Sequence, residues 1–324
     1  MATTQLSNLV AHDKEFLATV FEKMADKSVL RSAGIIVNSP VLNERANGAG
    51  KLTSAPFWNS LTQTESSVGS DDPDASITAG NIAQGEMIAV RNFRNAAWSV
   101  MDLAGALVGD DPMDAIAQRV AEYWANDEER MVISILKGIL ASDVAGSDVL
   151  YVGNGTSDVL NYDLLVDAIG TAGDAASQFN TLVMHSAVHR KLQKDEANDY
   201  IAASKTDLGF ATYAGFRIVV NDLMPLSSGV YTSVVCAPGA ILAGEGQAKN
   251  PIAVARNEAA GNGSGQETLY NRRQFILHPN GLKFNSSSIG LASPTNAEFE
   301  EAAQWTQAYA RKNIPLAFIK SVLA

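Results

Sequence analysis

From Ile116 to Ile139 apolar residues recur at intervals of three and four: Ile116, Val120, Tyr123, Trp124, Met131, Ile135 and Ile139, with one polar gap at Asp127. That period predicts an amphipathic helix with one buried stripe. Its start is marked by Gly109, by Asp110 and Asp111 as N-cap candidates, by Pro112 at the first helical position and by Asp114 in the first turn. Arg119, Glu122, Asp127, Glu128 and Arg130 populate the opposite side or its margins, and after Leu140 the residues Ser142, Asp143 and Gly146 lower helix propensity. A helix over 110–141 is about 45 Å long, more than a small domain is wide. It reads as the backbone of something elongated.

Other segments carry other periods. Phe16, Leu17, Val20, Phe21 and Met24 give a helical face between His12 and Leu30, followed by a polar tail from Asn38 to Gly50. From Lys51 to Gln84 the chain is rich in Ser, Thr, Gly, Asp and Asn around short apolar pieces such as Phe57-Trp58. A return strand follows from Glu86 to Phe93, with Met87, Ala89 and Arg91 on one face and Ile88, Val90 and Asn92 on the other. This is a long two-stranded excursion with no core of its own, and such a hairpin is marginal in water unless something else supports it. Beyond the long helix come a helix over Asp158–Ala172, a buried strand Asn180–His185, a helix from Ser186 to Glu196, and strands at Gly215–Asp222, Tyr231–Ala237 and Ala240–Ala243. Residues 244–265 read as a Gly-rich polar connection, Glu267–His278 as a strand, Pro279-Asn280-Gly281 as a turn, Asn296–Arg311 as a capped helix and Ile314–Val322 as a closing apolar stretch.

Composition narrows what such a chain does. At 324 residues about two domains are expected, or one large discontinuous one. Hydrophobic residues make up 46% and charged residues only 18%, so there is ample core and a weakly charged surface that suits coverage by partners. The net charge of −11 argues against gripping nucleic acid through its phosphates, although not against enclosing it. Cys236 is the single cysteine, set in the apolar run Ser233–Ala237; it reads as a buried strand thiol. Residues 1–10 lack a basic start and an apolar run, so no signal peptide is expected, and no apolar stretch is long enough for a membrane span.

Candidate chemistry is thin. His185 and His189 have a spacing that can place two imidazoles on one metal, but no Glu stands in the metalloprotease position, and capping and surface roles account for both. Gly153-Asn154-Gly155-Thr156 lacks the Lys of a phosphate loop and reads as a turn. Asp71-Asp72-Pro73-Asp74 lacks the later ligands of a calcium loop and reads as a solvated loop. No Gly-x-Ser-x-Gly elbow appears, and Trp58, Trp98, Trp124 and Trp305 are scattered instead of forming a base-stacking platform. No catalytic, cofactor-binding or metal site is assigned.

A family resemblance rests on a series of segments in order. Ala97-Trp98-Ser99, Gly109-Asp110-Asp111-Pro112-Met113-Asp114-Ala115-Ile116, Val120–Trp124 and Ile133–Gly138 resemble the spine helix and its approach in major capsid proteins of tailed double-stranded DNA phages, of the Hong Kong 97 type. Leu182–Ser186, Gly215–Asp222, Pro238–Ile241, His278–Phe284, Ser293–Ala297, Trp305 and Lys312–Pro315 fit the same family, so the resemblance covers the chain from Lys51 onward. It implies an α+β fold with an N-terminal arm (1–50), an extended β-hairpin loop (51–95), a peripheral domain with the spine helix (96–152 and 266–324) and an axial α/β domain (153–265). It further implies self-assembly as hexamers and pentamers into an icosahedral shell enclosing phage DNA without sequence-specific binding, built in the host cytoplasm and ending as the virion capsid.

The implied partners are further copies of the chain, a separate scaffolding protein, a portal and decoration proteins, with no cofactor and no membrane. Phe57, Trp58 and Phe93, aromatic residues in a segment without its own core, are the candidate inter-subunit contacts. Some members cross-link through a Lys–Asn isopeptide bond. Lys51 is the one candidate lysine in the loop, and its place at the loop's base favours a structural role. Rival readings are an encapsulin-like compartment enclosing a cargo enzyme, a soluble α/β enzyme with its site in 153–265, and a surface-array protein, which the N-terminus disfavours.

Overall fold

A computed structural model describes residues 28–59, 61, 65–74, 76–103, 112–146, 150–153, 157–195, 200–201, 211–285 and 289–323. The helix expected over residues 12–27 and the cap candidates Gly109, Asp110 and Asp111 lie outside these. The elements in chain order begin with a one-turn helix α1 (Val29–Ser32), strand β1 (Ile36–Asn38), helix α2 (Pro40–Ala46), strands β2 (Leu52–Trp58) and β3 (Gln84–Met101), and the spine helix α3 (Pro112–Gly146). Next come β4 (Tyr151–Val152), α4 (Tyr162–Gly170), β5 (Thr181–Met184), α5 (Ser186–Asp195), β6 (Tyr200–Ile201), β7 (Thr212–Tyr213), β8 (Phe216–Val220) and β9 (Leu226–Ser227). The chain closes with β10 (Val230–Cys236), β11 (Ile241–Gly246), β12 (Ile252–Asn257), β13 (Gln266–Pro279), β14 (Leu282–Phe284), α6 (Asn296–Phe299), β15 (Trp305–Gln307) and β16 (Leu316–Val322).

Two mixed sheets flank the spine helix. The first runs β1-β11-β13-β3-β2, with β12 also on β13; the second runs β4-β16-β10-β5-β8-β7-β6, with β9 on β10. Met131, Ile135 and Ile139 of the helix are buried in a core that takes Ile241, Phe275 and Leu277 from the first sheet and Val183, Val234 and Phe318 from the second. The alternate residues of those same strands, Leu182, Met184, Val235, Ala317 and Ile319, face the other way, onto Leu165 and Ala168 of α4 and Val188 and Leu192 of α5. Side chains alternate along a strand, so a sheet covered on both faces reads as a continuous apolar run. That is why Thr181–Met184 is buried at every position. Strands of the second sheet fall on both sides of residue 265, since β16 pairs along its length with β10, while β11 and β12 pair with β13 of the first sheet.

Several boundaries differ from the sequence reading. The spine helix extends to Gly146, at 35 residues about 52 Å. Strand β3 is also longer than its apolar alternation suggested: 84–90 pair with β2, and 91–101 continue alongside β13. The polar stretch 244–265 contains β12, because Ile252 and Val254 pack against the cluster around Trp124 and Leu269 while Arg256 and Asn257 stay outside. The helix expected over Asn296–Arg311 is one turn, closed at its start by a Thr295–Glu298 capping box. It stops because Trp305 turns back into the core and its Nε1 donates to the Phe299 carbonyl at 2.8 Å, after which β15 pairs with β14. On the spine helix Tyr123 is 43% exposed, whereas Glu128, read as a marginal polar position, is fully buried.

Candidate functional site

The hairpin made by β2 and the first half of β3 is held at its base by two arginines. Arg45, in the last turn of α2, donates to the carbonyl of Ser54, and the buried Arg91 on β3 donates to the carbonyls of Gly48 and Ala49. Gln274 of β13 donates to the Ala46 carbonyl at the end of the same helix. Gln274 thus occupies a C-terminal carbonyl of α2 left open by helix geometry, and Arg91 occupies two carbonyls just beyond the helix end, so α2 serves as a plinth for sheet and hairpin. Lys51, at the start of the hairpin, donates to the Leu291 carbonyl at 2.8 Å.

The three aromatic candidates are not gathered in one place. The Phe57 ring turns onto Tyr309 in an edge-to-face contact, centroids 4.5 Å apart, passing over Gly85 where a Cβ would sit 2.5 Å from the ring. Trp58 beside it is 66% exposed, and the two line a groove of about 520 Å³ with Asn59, Ala308, Tyr309, Ala310 and Asn313. Phe93 is 38% exposed on β3, and its carbonyl accepts from Ser293 Oγ at 3.3 Å. Further along the hairpin Leu61, Val68, Ile77 and Ile82 are all exposed. A second apolar groove, about 290 Å³, is lined by Trp98, Ile116, Arg119, Val120 and Tyr123 at the far end of the spine helix, where Trp98 and Tyr123 meet edge to face. So many uncovered apolar side chains on elongated parts of one chain are the mark of a surface that another molecule covers.

Sequence reasoning missed a cluster of buried charges around the spine helix. Arg31 of α1 grips Glu128 with both arms of its guanidinium, at 2.5 and 3.0 Å, and Arg273 of β13 reaches the same carboxylate at 2.7 Å. Glu245 of β11 joins both arginines. Burial alone would push the Glu128 carboxyl up; Arg273 and Arg31 overcome this and hold it below the ordinary glutamate value. Neighbouring Glu129 accepts from the Val29 amide at 2.8 Å, from Ser28 Oγ at 3.3 Å and from Asn221 Nδ2 at 3.2 Å. A signal for this was present in the spacing. Trp124, Glu128, Met131 and Ile135 follow each other by four, three and four, so Glu128 stands on the apolar stripe and Asp127 beside it.

The remaining candidates stay ordinary. His185 Nδ1 accepts from the Ala187 amide at 3.0 Å, a local cap, and no cluster of His, Cys, Asp and Glu able to hold a metal ion occurs among the described residues. Asp72 closes a turn by accepting from the Asp74 amide at 3.0 Å. Cys236 is buried, and burial pushes its thiol up to about 12, far from a nucleophile. Among the described residues no helix is long and apolar enough to cross a membrane.

Comparison with known proteins agrees with this architecture. The pattern of the Gp13-like family, described as major capsid protein 13-like, matches residues 9–314. The major capsid protein of Bacillus phage SPP1 is 32% identical over 327 residues, covering 99% of this chain and 98% of that one. Among solved structures, the capsid of Ralstonia phage GP4 superposes with a TM-score of 0.58 at 10% identity over 92% of each chain, and a chain from Microbacterium phage Oxtober96 with 0.56 at 13% identity over 90% of each. At such identities the structural likeness concerns the fold.

Proposed function

The chain belongs to the Gp13-like major capsid protein family, and from that premise we propose that it closes as hexamers and pentamers into an icosahedral shell around phage double-stranded DNA. Its role is structural: many copies of one subunit build the capsid of a tailed phage. A single repeated subunit bounds a volume only if its heterologous contacts close, which is what rings of five and six accomplish. The observation that carries the reading is the hairpin, whose exposed Trp58, Leu61, Val68, Ile77 and Ile82 have no core in their own subunit. It lies across a neighbouring copy, with Trp58 and Phe93 in the contact, while Phe57 anchors the far end of its ladder to Tyr309 of its own subunit.

In this reading residues 1–50 form the arm, 51–95 the loop, 96–152 with 266–324 the peripheral domain and 153–265 the axial domain facing the ring centre. The net charge of −11 suits a shell in which packed DNA slides without being gripped. Assembly in the host cytoplasm draws on a separate scaffolding protein, with a portal and decoration proteins joining the shell. Negative-stain electron microscopy of the purified protein across concentration and salt tests this. Shells, tubes or rings of five and six are expected, and a monodisperse monomer or dimer under every condition, with scaffold co-expressed, overturns it.

A further inference from the structure

Residues Ser28–Ser32 touch three parts of the molecule at once, adding to the core packing and to the direct Glu128–Arg273 and Glu129–Asn221 contacts between them. Arg31 binds Glu128 of the spine helix and Glu245 of β11, the Val29 amide and Ser28 Oγ bind Glu129, and the Ser32 carbonyl accepts from Arg217 of β8 at 3.0 Å. The spine helix, the first sheet and the second sheet are thus tied by one short segment. Leu30 is its single buried large apolar side chain; the rest of its attachment is polar and ionic.

The charges beneath it are balanced only while it is seated. Glu128 and Glu245 face Arg31 and Arg273, two of each sign, with the side chains of Glu128 and Arg273 0% and 2% exposed. Facing or flanking Glu128 are Arg31 from α1, Glu245 from β11, Arg273 from β13, and Asp127, Glu129 and Arg130 on its own helix. Removing the segment takes Arg31 away and leaves two carboxylates sharing Arg273. An excess buried charge is costly, and a carboxylate beside another carboxylate binds a proton more readily.

We propose that Ser28–Ser32 is a detachable strap whose release from the spine helix is coupled to uptake of one proton at the Glu128 carboxylate, so that the strap leaves more readily as pH falls. Seated, the strap holds both sheets to the helix; released, it frees them to adjust their relative orientation.

The test is hydrogen exchange with mass spectrometry on the full unassembled chain from pH 7 to pH 4.5, corrected for the intrinsic chemical rate. The reporters are the amides of Ser32, Ala33, Gly34 and Ile35, which donate to the carbonyls of Ser28, Val29, Arg31 and Leu30. Uptake of one proton means that opening of these amides rises up to tenfold per pH unit over part of that range, while Val234 and Val235 of the central strand do not follow. Arg31→Met and Glu128→Gln each remove the imbalance created on release, so both variants open more at pH 7 and lose the pH slope. A flat profile in the native protein, or strap amides that exchange only in step with Val234 and Val235, overturns the proposal even if a variant fails to fold.

Discussion

Gly138, in the C-terminal third of the spine helix, lies so close to Phe299 that a Cβ built on it would stand 1.9 Å from the Phe299 carbonyl oxygen and 2.6 Å from Trp305 Nε1. Glycine inside a helix ordinarily costs about 1 kcal/mol relative to alanine. Here the missing methyl is what lets the Phe299–Trp305 turn seat against the helix. Gly138→Ala is therefore destabilising despite its better helix propensity, by about 1–3 kcal/mol as an overpacking change. Denaturant unfolding of the unassembled subunit checks this; a neutral or stabilising result removes the close-approach argument.

Glu128 and Arg273 are nearly without solvent, 2.7 Å apart. Removing one member of such a pair leaves the other buried and under-compensated, costing about 3–5 kcal/mol. Glu128→Leu and Arg273→Met are each expected to lower the unfolding midpoint strongly. The double variant should recover part of the loss, read as a coupling energy in a double-mutant cycle.

His278 supplies a pH dependence of its own. Burial pushes its imidazole down to about 4, while a contact between Nε2 and the Leu282 carbonyl at 2.8 Å opposes that in part. A base whose folded pKa lies below its unfolded value of about 6.5 is bound to more protons unfolded than folded between the two. Its contribution is therefore fully present above pH 6.5 and is lost as pH falls towards 4, roughly 3 kcal/mol in all. Stability measured over that window should show the loss, and His278→Gln should flatten the curve.

Trp58 and Phe57 are neighbours with different roles. Trp58→Ala should leave subunit stability within about 0.5 kcal/mol, as for an exposed side chain, yet weaken assembly in sedimentation and microscopy. Phe57→Ala should lower stability as well, because its ring packs on Tyr309. If Trp58→Ala assembles at the native concentration and rate, Trp58 is no inter-subunit contact.

Cys236 should resist a thiol reagent in the folded subunit and react only as fast as the protein opens. Burial holds its thiol at about 12 and leaves it 1% exposed. Rapid labelling at pH 8 without denaturant would contradict the buried placement.

The long helix, the strands Thr181–Met184, Phe216–Val220 and Val230–Cys236, and the lack of a core in the hairpin were legible because each is written in local periodicity: a stripe every three or four residues, a run of apolar residues, or neither. What periodicity cannot state is which segment lies alongside which. Strand β12 is short and sits within a Gly-rich polar stretch, and only its pairing with β13 identifies it. The turn at Phe299 ends a helix that its composition would continue, because Trp305 has a place against Gly138. Glu128 carries a charge on an apolar stripe, and its meaning depends on Arg31, 97 residues away, and Arg273, 145 residues away. The sequence alone determined the local elements, since neighbouring side chains set backbone preference and burial face. The tertiary structure alone decided the strap, the hairpin's plinth and the sheet order, since those rest on charges and backbone groups that find partners only after distant segments meet.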